Sequence, residues 1–199
     1  MSYTDYIWDL GGTLLDNYQT SATAFGAVLA EDFGLEVSYE AIYQALRVST
    51  EFAVAQFAAD LPDFTAIYKK RESKALRDPV LFPDAAHVLA TIVAAGHRNL
   101  MISHRNHQVL DILKAAGIAE YFTEVVTASN GFARKPNPES IQYLLAKYQP
   151  RRPVMIGDRA IDILAGQNAH IETIYFASND QETVQATHHI KTLADILTL

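Results

Sequence analysis

The chain has 199 residues, 49% of them hydrophobic and 20% charged, with a formal net charge of −7 and no cysteine. That size suits one domain, or a core domain with a smaller insert, and the composition suits a globular protein able to bury a core. The absence of cysteine excludes disulfides and thiolate metal sites. An acidic balance without a basic stripe argues against nucleic acid as the main partner. No apolar run approaches the ~20 residues of a membrane helix, so no membrane partner is expected. Met1-Ser2-Tyr3-Thr4-Asp5 has neither the basic nor the apolar region of a signal peptide, and a cytoplasmic location is expected.

Residues Tyr3 to Asp9 read as a short buried strand with an aspartate at its C-terminal end, followed by Gly11-Gly12 and Thr13. Beyond Asp16 the period becomes helical. Ala24, Phe25, Val28, Leu29 and Phe33 recur at three- and four-residue spacing, and Gly34 is a stop. Ser38 can cap a second helix carrying Tyr39, Ile42, Tyr43 and Leu46. A third, around Glu51 to Ala59, presents Phe52, Ala55 and Phe57. Asp63 can cap a fourth with Phe64, Ile67, Tyr68 and Arg71. No strand pattern interrupts this block.

The character then switches. Leu81-Phe82-Pro83-Asp84 opens a helix through Val88, Leu89, Ile92 and Val93, closed by Gly96. Asn99 to Ser103 reads as a strand, and Asn106 can cap a helix from Gln108 to Ala116 that ends at Gly117. Glu124 to Thr127 is a short strand. Asn137-Pro138 offers an N-cap and a first-turn proline to a helix carrying Ile141, Leu144 and Leu145. The strand Pro153 to Ile156 runs into Gly157-Asp158, a helix follows over 160–169, then a strand Thr173 to Phe176 and a terminal helix from Leu193 to Leu199. Strands alternating with helices imply an α/β fold with a doubly wound parallel sheet. The core is residues 1–15 and 80–199, and the helical insert is 16–79.

At the C-terminal ends of the predicted strands stand Asp9, Ser103-His104-Arg105, and Asp158 with Asp162 one turn on; Lys135 precedes a helix. In a parallel sheet these ends share one edge, so the side chains can converge. Clustered carboxylates repel by several kcal/mol at intermediate dielectric, and a divalent cation with Lys135 would relieve that. Oxygen donors without cysteine or a paired-histidine motif favour Mg²⁺ over zinc. With Asp9 as nucleophile and Ser103 and Lys135 on phosphoryl oxygens, the set reads as a site for covalent phosphoryl transfer. Each residue also has a plainer reading. Asp9 can cap a turn, Ser103 can satisfy strand-end backbone, Lys135 can be a solvated loop lysine and Asp162 can support its loop. Tyr68-Lys69-Lys70-Arg71 can be a solvated helix face, and His188-His189 can simply be exposed. A receiver-like phosphoacceptor is the rival class, disfavoured by the helical insert.

The ordered set Asp9-Leu10-Gly11-Gly12-Thr13-Leu14, Ile102-Ser103, Lys135-Pro136-x-Pro138-Glu139 and Gly157-Asp158-Arg159-x-x-Asp162 resembles the four motifs of the haloacid dehalogenase (HAD) superfamily. The helical insert after the first motif is similar to the cap of its phosphoglycolate phosphatase and β-phosphoglucomutase branch. The resemblance spans almost the whole chain and implies a Rossmann-like core. It also implies that Asp9 attacks phosphorus to form an aspartyl phosphate. Asp9, the Gly11 carbonyl and Asp158 would ligate Mg²⁺, with Asp162 behind them or acting through water, and Thr13 in support. Ser103, Lys135 and the His104 amide would bind the phosphoryl group of a small phosphorylated metabolite, and the cap would select it.

One position departs from the family pattern. Two residues after the nucleophile, its phosphatases carry an aspartate that protonates the leaving alcohol and then activates water; here it is Gly11. General acid–base help is typically worth about 10²–10⁴ in rate. Three readings stay open. The protein can be a phosphatase slow on ordinary esters but competent on good leaving groups such as acyl or aryl phosphates. Its proton can come from His104, or from Tyr68, Lys69 or Lys74 of the cap; Arg105 is almost never an acid. Or it can be a phosphate-binding regulatory protein without turnover. A phosphonate hydrolase would need a Schiff-base lysine among Lys69, Lys70 and Lys74, and Asp158 with Asp162 speaks against a metal-free dehalogenase.

Overall fold

The computed structural model describes residues 2–105, 107–176 and 184–199. The Asn106 cap expected from the sequence lies outside them. The chain divides into two compact units, Met1–Leu15 with Leu81–Leu199, and Asp16–Val80.

The first is an α/β unit. Its strands are β1 (Asp5–Trp8), β2 (Arg98–Ile102), β3 (Phe122–Val126), β4 (Pro153–Gly157), β5 (Glu172–Phe176) and β6 (His188–Ile190). They form one sheet in the order β3-β2-β1-β4-β5-β6, and every neighbouring pair is parallel. The doubly wound parallel sheet predicted from the alternation of strands and helices is therefore present. The four residues of β1 are buried throughout because both sheet faces are covered. With period two, Tyr6 and Trp8 join Met101, Val154 and Ile156 in one core cluster, and Ile7 joins Leu100, Ile102 and Met155 in another. Residues of Ala85–Ala94 and Val109–Ala115 and the C-terminal turn complete the first cluster; residues of Glu139–Tyr148 and Ala160–Asn168 complete the second. The strand order reverses beside β1, whose neighbours are β2 and β4. The tips of β1 and β4 are therefore the crevice where such sheets bind ligands.

The second unit is helical: α1 (Asn17–Phe33), α2 (Tyr39–Val48), α3 (Thr50–Phe57) and α4 (Phe64–Ala75). Its core gathers Phe25, Val28, Leu29, Ile42, Leu46, Phe64 and Tyr68, with the Phe25 ring 4.6 Å from that of Phe64 and 5.1 Å from that of Tyr68. Asp16 and Ser38 cap α1 and α2 by accepting backbone N–H groups of Gln19 and Ala41, and Gly34 ends α1 in the left-handed region. Among the described residues no helix is long and apolar enough to cross a membrane.

Several expectations change. Helix α3 buries Ala53 and leaves Phe52 and Ala55 exposed; of the three residues expected on its inner face, only Phe57 packs against the core. Asp63 stands at the N-cap of α4 in the left-handed region, and its side chain caps nothing. Pro138 takes the N-cap position expected of Asn137, although Asn137 Oδ1 still accepts the Glu139 N–H at 2.9 Å. The terminal helix is a 3₁₀ helix, Leu193–Thr198. Strand β6 was not expected. Its three residues are too few for a readable period and are held by pairing with β5.

Candidate active site

Asp9 leaves the sheet directly after β1. Its N–H donates to the Ile156 carbonyl at 2.9 Å, which extends the ladder to β4 by one residue and fixes the backbone there. The chain then turns. The N–H groups of Leu14 and Leu15 return to the Leu10 carbonyl at 3.0 and 2.9 Å, and Gly12 adopts φ 91°, a value that favours glycine. This turn brings buried Thr13 back toward β4, where its hydroxyl donates to Asp158 Oδ1 at 3.2 Å.

Asp158 follows β4, and Asp162 stands in the first turn of the helix Ala160–Asn168, labelled α8. The helices Ala85–Ala94, Val109–Ala115 and Glu139–Tyr148 are accordingly α5, α6 and α7. One oxygen of Asp162 accepts the Arg159 N–H at 3.1 Å. The other lies 2.6 Å from the ammonium of Lys135, which also contacts Asp9 Oδ1. A Cβ on Gly157 would lie 2.5 Å from Asp162 Cγ, so glycine at the end of β4 is what lets Asp162 approach.

Lys135 is buried on the loop before α7, and three contacts hold that loop. Asn168 Nδ2 donates to the Pro136 carbonyl at 2.9 Å, Glu139 accepts the Ala133 N–H at 2.7 Å, and His104 Nε2 accepts the Lys135 N–H at 2.8 Å. The family resemblance implies a role for the His104 amide; the ring is part of the scaffold too. With Nε2 accepting, the neutral ring carries its proton on Nδ1, so the Arg134 Nε that lies 3.4 Å from Nδ1 is a packed neighbour rather than a donor. Asn168 and Glu139 were not legible, because a loop-tying side chain has no periodicity. Ser103 directly follows β2, the strand next to β1. It is buried, and its hydroxyl accepts the Arg105 N–H at 3.2 Å.

Carboxylate oxygens of Asp9, Asp158 and Asp162 all lie within 4.8 Å of one another. Burial pushes the Asp9 carboxyl up to about 6; Lys135 opposes the rise and Asp162 adds to it. Burial alone would lower the Lys135 ammonium, but Asp9 and Asp162 together outweigh it and keep the lysine protonated well above its ordinary range. Burial, then Lys135 and Arg134, push the His104 imidazole down to about 4. The centre thus sets three carboxyl groups against one lysine.

The structure therefore brings together Asp9, Thr13, Lys135, Asp158 and Asp162, with Gly11 on the same turn and Ser103 and His104 at the adjoining strand end. Of the helical residues weighed as proton donors, Tyr68 is buried in the core of its own unit and donates to Glu72 Oε1 at 2.7 Å, and Lys69 pairs with Glu72 at 2.9 Å. Lys70 and Lys74 are exposed.

Comparison with known proteins gives the same architecture. A family model for haloacid dehalogenase-like hydrolases matches residues 6–176. A phosphoglycolate phosphatase of Vibrio vulnificus is 29% identical over 81% of this chain and 78% of that protein. Pyrophosphatase PpaX of Oceanobacillus iheyensis is 26% identical over 100% of this chain and 97% of its own. The crystal structure of a hydrolase from Streptococcus pneumoniae superposes with a TM-score of 0.87 at 48% identity, over all of both chains. A motif set in this order, on this sheet and across this length, places the chain in the haloacid dehalogenase-like hydrolase family.

Proposed function

We propose that the protein is a cytoplasmic Mg²⁺-dependent phosphatase of small phosphorylated metabolites, working through an aspartyl phosphate on Asp9. The observation that carries this reading is the buried carboxylate cluster bridged by Lys135 at the strand-order reversal. Relatives named phosphoglycolate phosphatase and pyrophosphatase support it. Three clustered carboxyl groups beside a single lysine make an acidic, all-oxygen donor set, which fits Mg²⁺. Asp9, Asp158 and the Gly11 carbonyl would hold the ion, with Thr13 orienting Asp158 and Asp162 standing behind. When bound, the ion supplies charge neutralisation at the phosphoryl oxygens.

The chain's own groups account for the rest. The Lys135 ammonium holds Asp9 in place and meets a phosphoryl oxygen, joined by the Ser103 hydroxyl and the His104 amide. His104, Asn168 and Glu139 keep the lysine loop fixed. The helical unit serves as the substrate-selecting cap. Gly11 favours a second reading, a phosphate-binding regulatory protein with little turnover.

Hydrolysis of p-nitrophenyl phosphate separates the two. The enzyme reading expects Mg²⁺-dependent release of p-nitrophenol that is abolished by a chelator and by Asp9→Asn. It also expects Mg²⁺ to raise the Tm of the wild type but not of Asp158→Asn. Binding of Mg²⁺ and phosphate without turnover selects the regulatory reading. Absence of both binding and turnover overturns both.

A further inference from the structure

The groups assigned above to the phosphoryl oxygens come from two segments of the chain. Ser103 and the His104 amide stand at the tip of β2. Lys135 stands on the loop before α7, 31 residues beyond His104. Each segment is anchored by itself. At the β2 tip the Ser103 hydroxyl accepts the Arg105 N–H at 3.2 Å, and the Arg105 carbonyl accepts the Ala128 N–H at 2.8 Å. On the lysine loop Asn168 holds the Pro136 carbonyl and Glu139 holds the Ala133 N–H. Neither set of anchors ties one segment to the other. The His104 ring does: it rises from the β2 tip, and its Nε2 accepts the N–H of Lys135 itself at 2.8 Å.

The chemistry of the ring suits that task. An imidazole is planar and turns about only two bonds, so its Nε2 acceptor has a set reach from the β2 backbone. The ring also stays neutral. Burial and the cations of Lys135 and Arg134 push it down to about 4, with Arg159 acting in the same sense and Asp162 against it. A neutral ring keeps a lone pair, and no proton, turned toward the Lys135 N–H. On its far side Arg134 Nε packs 3.4 Å from Nδ1. The lysine it holds is buried, with its ammonium between Asp9 and Asp162. Whatever places the Lys135 backbone also places that ammonium relative to Ser103.

We propose, on the phosphatase reading above, that His104 is a positioning residue whose ring sets the spacing between the β2 tip and Lys135, and with it the grip of the site on a phosphoryl group. The ring touches no reacting atom and acts through the lysine.

Three variants test this. His104→Leu removes the acceptor, His104→Gln keeps one near the Nε2 position, and Lys135→Met removes the ammonium. With Mg²⁺ present, His104→Leu is expected to raise the Kd for inorganic phosphate and the KM for p-nitrophenyl phosphate about tenfold, and His104→Gln to restore both to within about threefold of the wild type. In a Lys135→Met background, His104→Leu should weaken phosphate binding no further, because the ring acts through that lysine. Acetylation of Lys135 by an amine-reactive ester, read by peptide mass spectrometry without phosphate, should rise about fivefold in His104→Leu and stay at the wild-type level in His104→Gln. Equal losses in the leucine and glutamine variants, or losses that add to that of Lys135→Met, overturn the proposal and leave the phosphatase reading intact. Should His104→Leu not fold, His104→Asn, whose acceptor falls short of Lys135, takes its place with the same expectations. If the wild type neither binds phosphate nor hydrolyses p-nitrophenyl phosphate, the phosphatase reading fails. The acetylation pattern then decides the spacing by itself, and unchanged protection of Lys135 in His104→Leu overturns it.

Discussion

On the phosphatase reading proposed above, Gly11 and His104 are the residues on which proton transfer would turn. Position 11 offers no carboxyl, and the His104 ring is engaged with the Lys135 loop, its Nε2 accepting the Lys135 N–H at 2.8 Å. Gly11→Asp is therefore expected to raise kcat on alkyl phosphates at least about tenfold, within the 10²–10⁴ typical of general acid–base catalysis. A flat rate with Mg²⁺ binding retained would show that proton transfer is not limiting. The ring also has a thermodynamic signature. Its pKa is pushed down to about 4 in the folded state from an ordinary 6.5, so between those values the folded protein binds fewer protons than the unfolded chain. Its contribution is whole above pH 6.5 and is lost as the pH falls toward 4. Urea unfolding at pH 7.5 and pH 5 should show the wild type losing about 1–2 kcal/mol more than His104→Gln, which keeps an acceptor but does not titrate. Equal losses would assign the pH dependence elsewhere.

Among the elements, the turn from β4 into α8 is the most constrained. Gly157 ends the strand against Asp162, and Gly166 lies in α8 where a Cβ would sit 2.6 Å from Thr173 Cγ2 of β5. Both glycines permit close approach rather than a left-handed turn, since neither has a positive φ. Gly157→Ala should cost about 2–3 kcal/mol in chemical denaturation. Because the new methyl displaces Asp162 from Lys135, it should also lower Asp9-dependent turnover. Full stability and full activity would mean that α8 can shift without penalty. The helical elements show how far local pattern reaches. Helices α1 and α2 follow their spacing and caps because each has a long apolar stripe. In α3, Ala53 is buried and Phe52 is exposed. A single-helix pattern cannot see the space its neighbour leaves.

At the scale of the molecule, the parallel sheet is what makes the site. Asp9, Lys135, Asp158 and Asp162 span most of the chain, yet every strand runs in one direction and the connections bring their C-terminal tips to one edge. The sheet and its reversal at β1 could be anticipated because the elements alternate regularly and buried strands read as apolar runs. The convergence of Asp9 and Asp158 was open to that argument, since it needs only strand direction; Lys135 and Asp162 reach the same edge through the tied loop before α7 and the close approach at Gly157.

By itself the sequence determined the class of fold, the absence of cysteine, the aspartate at the tip of β1 and the absence of a side chain at position 11, because these are matters of residue type and element order. The tertiary structure decided what depends on packing between distant segments. It bound the His104 ring to the Lys135 loop, seated Asp162 against Gly157, created β6 by pairing with β5, and left Arg134 and Arg159 exposed beside a buried centre. Periodicity reports burial one element at a time. Which side chains meet across elements is settled only when the layers close, and for that reason the gap at Gly11 could be read from the sequence while the engagement of the His104 ring needed the structure.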